Sequence, residues 1–433
     1  MLGLAGPIML ANLGQPLMGM VDTALSGHLA DPALIGAVGV GALLLSYLFW
    51  GFGFLRLATG GYTAQARGAG DAPEIRAVLA RALLLALALA ALVLLLQAPA
   101  ARLGLALIGA SAAVSEGAAL YFGIRVWAAP ASLSLYCLHG WLLGMQDARA
   151  VMLLTLGLHG LNAGLSCLFV LAFDWGLAGV AAGSLAAEYL AAALGLVLVR
   201  RHWRAHPARL GLARLLDRGK LRGLFAANVN LMIRTFALLT GSALFASIGA
   251  QLGDRVLAAN QLLLQLVTLT SYAIDAFADA SEALVGHAKG ARDRLLATRT
   301  IRAAMELGLL GALAFAVVFA LFGGAVLGLF TGHQRVVEEA LRYLPWMIAL
   351  PVGSIWCYVL DGVFIGVTRT ATLRNAMLVS LALFWAAQAL LVPLWANHGL
   401  WAAFLVFFLA RGVTLGLALP ALLRGIQPAA AAR

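Results

Sequence analysis

The segment RRHWRAHPARLGLARLLDRGKLRG, residues 200–223, is the one strongly polar stretch in a chain of 433 residues. It contains eight Lys and Arg residues, although charged residues make up only 11% of the chain and hydrophobic residues 63%. On either side of it, apolar runs of about 20 residues recur, each long enough to cross a bilayer as a helix. The composition therefore predicts a polytopic membrane protein and excludes a soluble enzyme, a disordered chain and a disulfide-stapled secreted protein.

Six apolar runs precede residues 200–223 and six follow them. A backbone exposed to lipid must satisfy its own hydrogen bonds, and these runs are too long and continuous for barrel strands, so each is predicted to be a helix. The predicted spans are residues 3–27, 33–63, 78–100, 117–140, 151–172, 177–199, 224–248, 256–286, 303–329, 341–366, 374–394 and 399–423. The prediction is an all-α protein with an N-lobe at 1–199, a cytoplasmic linker at 200–223 and a C-lobe at 224–433.

The distribution of Lys and Arg predicts the orientation. With the N-terminus inside, 21 of these residues fall in cytoplasmic loops or the C-terminal tail and four in outer loops. Such an asymmetry places both termini in the cytoplasm, with the chain in the cell (inner) membrane. The first apolar run has no basic region before it and is expected to be a retained span. The net charge of +11 is explained by loops that face anionic lipid, so no nucleic-acid partner is expected.

The two halves of the sequence repeat. Residues 66–71 read ARGAGD and residues 288–293 read AKGARD, at an offset of 222, and G-x-x-x-G motifs begin at Gly140 and Gly362, at the same offset. Because six spans per half is an even number, both halves enter the membrane from the same side. Two six-helix lobes related by a pseudo-two-fold axis along the membrane normal are predicted, an architecture typical of transporters that work by alternating access.

Ionisable residues inside spans are costly, so they are expected to face a cavity or to pair. The acids within or at the ends of the predicted spans outnumber the arginines by six to four, which suits a pathway for a cation. The acids are Asp22, Glu188, Asp275, Asp279, Glu282 and Asp361, and the arginines are Arg56, Arg125, Arg234 and Arg411.

Asp22 is the strongest candidate for ion coupling. The first span holds no basic residue that would pair with it, and Pro16 lies six residues earlier. Proline removes one helix hydrogen bond, so the span can bend there. Burial disfavours the ionised carboxylate, which lets such a group take up and release a proton near neutral pH. The alternative is an aspartate held by backbone or amide groups, with a purely structural role.

Further polar residues occupy both halves. In the N-lobe, Asn162 and Ser166 lie one turn apart in the fifth span and are predicted to support the Asp22 pocket, or else to serve helix packing. Glu188 is assigned to the same pocket, with structural ion pairing as an equal alternative. Metal sites are not predicted, because no HxxxH, HExxH or CxxC spacing occurs.

In the C-lobe, Asp275 and Glu282 fall on one face of the eighth span, at i and i+7. Asp275 lies at a depth comparable to that of Arg234, which suggests that the two pair. Glu282 is assigned with Arg234, Asp275 and Asp361 to a C-lobe polar network; because it lies near the cytoplasmic end, a solvated inner mouth is the alternative. Asp361 is assigned either ion pairing or a part in transport.

Several segments together resemble the multidrug and toxic compound extrusion (MATE) family, in particular its DinF-like branch. They are PIMLANLGQPLMGMVDTALSGHL (7–29), GMQDAR (144–149), AEY (187–189), SYAIDAFADASEA (271–283), GARD (290–293), LDGVFIGVTR (360–369) and RN (374–375). The resemblance covers nearly the whole chain.

The resemblance implies twelve helices in two lobes and a cation-coupled antiport of amphipathic, often cationic, compounds. It also implies that Asp22 is the main protonation site, that the first span bends near Pro16, and that Asn162 supplies a supporting amide. Many relatives carry an acid at the position of Ser166, so a second acid in this lobe is lost here. Relatives carry acids that match Asp275, Glu282 and Asp361, with ion-carrying and structural roles both open.

No GxxxxGK[ST] motif occurs, so an ion gradient is the expected energy source. H⁺ is favoured as the coupling ion, with Na⁺ as the alternative, and no cofactor is expected. The expected partners are small amphipathic substrates and membrane lipid, with the chain as a monomer. A flippase for a lipid-linked precursor is the alternative function; an intramembrane enzyme, which needs Asp-rich metal motifs, and a channel are less favoured.

Overall fold

The computed structural model describes residues 1–26, 32–205, 207–208, 211–331 and 333–426, and for residues 15–26, 32 and 33 it describes the backbone only. Regular secondary structure in this part of the chain is entirely helical. The helices are α1 Leu2–Ser26, α2 Pro32–Trp50, α3 Phe54–Gly68, α4 Ala72–Leu95, α5 Gln97–Ile108, α6 Ala112–Arg125, α7 Ala129–Gly144, α8 Ala148–Cys167, α9 Gly176–Ala205, α10 Leu212–Leu215, α11 Arg218–Gln251, α12 Asp254–Gly290, α13 Arg294–Phe330, α14 Gln334–Gly366 and α15 Thr370–Arg424. A 3-10 turn, Val126–Ala128, joins α6 to α7, and a π-helical turn, Leu168–Ala172, extends α8.

Twelve membrane-spanning helices are recovered, which confirms the predicted fold class. Ten helical stretches among the described residues are long and apolar enough to cross a membrane. One of them, α15, is broken at Ala396 (φ 47°, ψ −126°) and so supplies two spans. Helix α1 completes the twelve. Several helices run beyond the predicted apolar limits, because polar residues at a membrane surface continue a helix as readily as apolar ones.

Helix α5 is an element that the hydropathy pattern did not predict. It follows the third span after a break at Leu96, and none of its twelve residues is buried. Its leucines include Leu103 and Leu107, which are 64% and 78% exposed. A helix of this length is too short to cross a bilayer, so runs of about 20 apolar residues do not reveal it and predict an outer loop here.

Contacts within the structure divide the chain into two compact units. The first unit comprises Leu10–Arg67 and Asp71–Gly223, and the second comprises Met1–Met9, Gly68–Gly70 and Leu224–Arg433. Residues 200–223 therefore group with the first unit.

Close helix contacts occur at the same offset in both units. On α7, a Cβ added to Gly140 would overlap the carbonyl oxygen of Arg56 on α3. On α14, a Cβ added to Gly362 would overlap the carbonyl oxygen of Ala278 on α12. The two glycines are 222 residues apart, and so are Arg56 and Ala278. The G-x-x-x-G motifs are therefore surfaces where backbones approach closely, as small residues allow in membranes.

The polar ends of these helices also repeat. The side chain of Asp71 accepts a hydrogen bond from the backbone nitrogen of Glu74 at the start of α4, as an N-cap. Asp293, 222 residues later, caps α13 in the same way. Arg67 donates to the carbonyl oxygen of Met145, and the equivalent Lys289 donates to that of Val367. The equivalence of the caps, the basic side chains and their acceptors shows that the internal repeat extends from sequence to contacts.

Replacement of Gly362 by Ala is expected to destabilise the second unit. The new methyl group would overlap backbone, which cannot rotate away, so α12 and α14 must separate; overpacking of this kind costs about 1–3 kcal/mol. Thermal unfolding in detergent should show a midpoint lower by several degrees. Gly416→Ala is the matched control, because a Cβ there meets no heavy atom within 4 Å. Equal midpoints for the two variants would contradict the close approach.

Candidate functional site

Pro16 and Asp22 belong to α1, which is one continuous helix, Leu2–Ser26, in its backbone. Their side chains lie outside the part of the structure that is described. Within the first unit, α1 packs on α8 at Gly14. A Cβ added to Gly14 would lie 3.3 Å from Cδ2 of Leu156 and 3.4 Å from Cδ2 of His159. The helix that carries Asp22 is therefore a neighbour of the helix that carries Asn162.

Asn162 and Ser166 are both buried, with exposed fractions of 1% and 0%. Nδ2 of Asn162 donates to Oγ of Ser184 on α9 at 2.7 Å, and that hydroxyl donates to the carbonyl oxygen of Val180 at 3.1 Å. Oδ1 of Asn162 and Oγ of Ser166 have no hydrogen-bond partner among the residues whose side chains are described. Because buried polar atoms are normally paired, these two oxygens are available to a further polar group. An amide oxygen accepts a proton donor, and a hydroxyl both donates and accepts.

Glu188 forms a buried ion pair. Its Oε1 lies 2.7 Å from a terminal guanidinium nitrogen of Arg125, and its Oε2 accepts from the hydroxyl of Ser132. Glu188 follows Ser184 by four residues on α9, so the two lie on the same helical face. The structure thus brings Asn162, Ser184 and Glu188 into one polar strip, with the negative charge of Glu188 compensated by Arg125.

The second unit contains a cluster of charges around Asp361, which is 5% exposed. Arg234 donates to Oδ2 of Asp361, and Nε of Arg411 lies 3.6 Å from Oδ1. The similar depths of Asp275 and Arg234 along their spans suggested that these two residues pair. Asp361, as a partner of Arg234, was not predicted. Asp275 lies within electrostatic range of Arg411. Asp361 therefore contacts two arginines in this region.

Arg411 is the most deeply buried member of the cluster, at 2% exposure. Its guanidinium carbon lies 5.4 Å from the ring centre of Tyr358 and 5.6 Å from that of Phe408. Aromatic faces stabilise a cation at these distances, especially where water is excluded. The cluster is thus built into the core of the unit.

The alternative for Glu282, a solvated inner mouth, is wrong. Glu282 is 1% exposed and the nearby Asp279 is 6% exposed. Gly366 on α14 lies so close that an added Cβ would overlap the carbonyl oxygen of Glu282. Position along a helix measures depth in the membrane but not coverage by a neighbouring helix, and α14 covers this face of α12.

Sequence analysis also missed a buried amide pair. Asn260 and Asn397 exchange two hydrogen bonds, at 2.8 and 2.9 Å, and the indole nitrogen of Trp401 donates to Oδ1 of Asn260 at 2.9 Å. Asn397 follows the backbone break at Ala396 directly. The pair holds the turn between the last two spans. Its signal in the sequence was one asparagine inside the eighth predicted span and one between the last two spans. Among the described residues, no group of His, Cys, Asp and Glu is arranged to hold a metal ion.

Comparison with known proteins assigns this architecture to a family. The sequence matches the MatE family over residues 7–168 and 231–389. It is 40% identical to DNA damage-inducible protein F of Escherichia coli K12 over 412 residues, which is 95% of this chain and 90% of that protein. It is 27% identical to the probable multidrug resistance protein NorM of Pseudomonas syringae over 96% of this chain and 90% of that protein.

The fold agrees with a solved structure as well. A crystal structure of MATE in the straight conformation superposes with a TM-score of 0.87, at 19% identity, over 98% of this chain and 96% of that one. This family consists of membrane transporters for small molecules and not of enzymes. The chain belongs to the MatE family of integral membrane transporters, in the DinF-like branch that DNA damage-inducible protein F represents.

Proposed function

We propose that the chain is a secondary active antiporter that expels amphipathic, often cationic, organic compounds in exchange for an external cation, by alternating access. The observation that carries the proposal is a pair of buried oxygens, on Asn162 and Ser166, that have no hydrogen-bond partner among the described side chains. They lie on the helix against which α1 packs. The description of NorM relatives as probable multidrug resistance proteins supports the substrate class.

Helix geometry supports Asp22 as the partner of these oxygens. Helices α1 and α8 supply the first and fifth spans, so both cross the membrane in the same direction. Residue 22 is eight residues beyond Gly14, a rise of about 12 Å, and Ser166 is seven residues beyond His159, a rise of about 10 Å. Because Gly14 and His159 are in contact, Asp22 and Ser166 come to similar levels. A protonated carboxyl group there would donate to an acceptor such as Oδ1 of Asn162.

The acids that are paired with arginines are less suited to bind a transported cation, which favours Asp22 as the coupling residue. Glu188 is compensated by Arg125, and Asp361 by Arg234 and Arg411. An acid that is held by a guanidinium group does not need a transported cation to balance its charge. H⁺ is favoured over Na⁺ because one amide oxygen and one hydroxyl suit a single proton donor better than a cation that needs several oxygen ligands.

The remaining parts of the proposal concern organisation. Two lobes at 1–199 and 224–433, joined by a cytoplasmic linker at 200–223, are supported by the repeated contacts 222 residues apart. The excess of Lys and Arg in one set of loops supports cytoplasmic termini and residence in the cell membrane. We propose a monomer, because each repeated half buries its own core.

Transport from vesicles tests the coupling. Right-side-out vesicles that contain the protein are loaded with a fluorescent cation, and an acid-outside pH gradient or an inward sodium gradient is imposed separately. The pH gradient is expected to drive saturable efflux at equal sodium, because external protons occupy the coupling carboxylate. Efflux that follows the sodium gradient and ignores pH would overturn proton coupling, and non-saturable flux without a gradient would indicate a channel.

A further inference from the structure

Residues 200–223, called the linker below, are fastened to the first unit by charged contacts. Two guanidinium nitrogens of Arg76 donate to the carbonyl oxygens of Ala208 and Trp203 at 2.5 and 2.6 Å. The same guanidinium lies over the Trp203 ring, 5.3 Å from its centre. His202 lies 2.8 Å from a carboxylate oxygen of Asp147. The linker is therefore held in one conformation at these points.

The fastening continues at the start of α4. Arg214 reaches both carboxylate oxygens of Asp71, at 2.7 and 2.9 Å. Lys220 lies 2.5 Å from Oε2 of Glu74, while Arg81 occupies Oε1 of the same residue, also at 2.5 Å. The two acids at the start of α4, Asp71 and Glu74, are thus both paired with basic residues of the linker. These contacts hold the linker at the level where the spanning helices end.

These contacts leave three leucines of the linker exposed. Leu212 and Leu216, four residues apart, are 70% and 56% exposed, and Leu221 is 37% exposed. Leucines at this spacing lie on the same side of a helical turn. Exposed leucines in a segment of this polarity are not explained by packing within the first unit.

The charges around the exposed leucines indicate what kind of surface they contact. Six arginines are exposed among the described residues of the linker: Arg214, which pairs with Asp71, and Arg200, Arg201, Arg204, Arg218 and Arg222. Asp217 is the linker's only acidic residue, and it accepts from the backbone nitrogen of Lys220 at 3.0 Å. Leucines with flanking arginines, at the ends of membrane-spanning helices, match the boundary between acyl chains and anionic headgroups.

We infer that the linker is a membrane-surface element: Leu212, Leu216 and Leu221 enter the cytoplasmic leaflet while the exposed arginines bind anionic lipid headgroups. Each arginine near an anionic surface contributes about a five-fold preference for it. The linker thus joins the first unit to the lipid surface through the same segment that Asp71, Glu74 and Arg76 hold.

Site-directed spin labelling tests the inference. Nitroxides are placed by Leu212→Cys and Leu216→Cys in the full chain, with the three native cysteines replaced by Ala, and the protein is reconstituted in nanodiscs of phosphatidylcholine with or without about 30% phosphatidylglycerol. Ala69→Cys in an exposed loop provides the aqueous reference, and Leu190→Cys on α9 provides the lipid reference. Monodispersity on gel filtration verifies that each variant is folded.

The measured quantity is the collision rate of the nitroxide with oxygen divided by its collision rate with a water-soluble nickel complex. At positions 212 and 216 this ratio is expected to lie between the two references. It should shift toward the lipid reference when phosphatidylglycerol is present. Arg218→Gln/Arg222→Gln should reduce that shift. Values equal to the Ala69 reference in both lipids would overturn the inference. So would an equal insertion in pure phosphatidylcholine, since the surface would not then need to be anionic, or dipolar broadening between labels, which would indicate a second copy of the chain.

Discussion

Asp22→Asn is expected to reduce gradient-driven efflux to the level of protein-free vesicles while leaving the protein folded. An asparagine has nearly the same volume as an aspartate, but its amide takes up no proton at any pH at which the protein functions. If the coupling ion binds at this carboxylate, the variant loses the step that joins the gradient to transport. Thermal unfolding in detergent should give a midpoint close to that of the wild type.

The matched control for this experiment is Glu116→Gln, since Glu116 is an exposed carboxylate of the same unit. The two variants remove the same charge, so a difference between them reports the position of the acid and not the net charge. Wild-type efflux in Asp22→Asn would contradict the proposal that this residue couples transport. An unfolded Asp22→Asn would instead assign the carboxylate a structural role.

Properties that depend on one stretch of chain were predictable. The twelve spans follow from runs of apolar residues, and the repeat follows from short motifs at one offset. The G-x-x-x-G motifs that mark the repeat also lie where backbones meet, because only glycine allows such an approach. The caps at Asp71 and Asp293 lie within the repeated motifs and belong to the same class of local information.

Properties that depend on pairing between distant segments were not predictable. Arg234 and Asp361 are 127 residues apart, and depth along the spans suggested Asp275 as the partner of Arg234. A solvated position was an alternative for Glu282 because the sequence indicates its depth in the membrane. The sequence does not indicate that α14 covers it. The helix break at Ala396 was not predicted, because alanine usually favours a helix. The amide of Asn260, which bonds to Asn397 next to the break, lies 137 residues before Asn397.

The charge cluster of the second unit gives the other large expected effect. Asp361→Asn removes the carboxylate that Arg234 and Arg411 share. Leaving a buried charge uncompensated costs about 3–5 kcal/mol, and for a unit of this size each kcal/mol lowers the unfolding midpoint by about 2–4 °C. The midpoint should therefore fall by about 10 °C.

The double variant Asp361→Asn/Arg411→Met should recover most of that loss. It removes one positive and one negative charge together, and an unbranched methionine retains the apolar contact with Tyr358 and Phe408; replacing a buried ion pair as a whole is often neutral. Glu306→Gln provides the surface control, because Arg302 and Glu306 are 81% and 60% exposed, and such pairs contribute less than about 1 kcal/mol.

Transport by the stabilised double variant then separates structure from coupling in the second unit. If Asp361 serves to balance the arginines, the double variant should retain proton-driven efflux, because Asp22, the carboxylate proposed to couple transport, is intact. A folded double variant that binds substrate but no longer responds to the pH gradient would place ion coupling at Asp361. A single variant as stable as the wild type would instead show that Asp361 is not needed to neutralise Arg234 and Arg411, in spite of their distances from it.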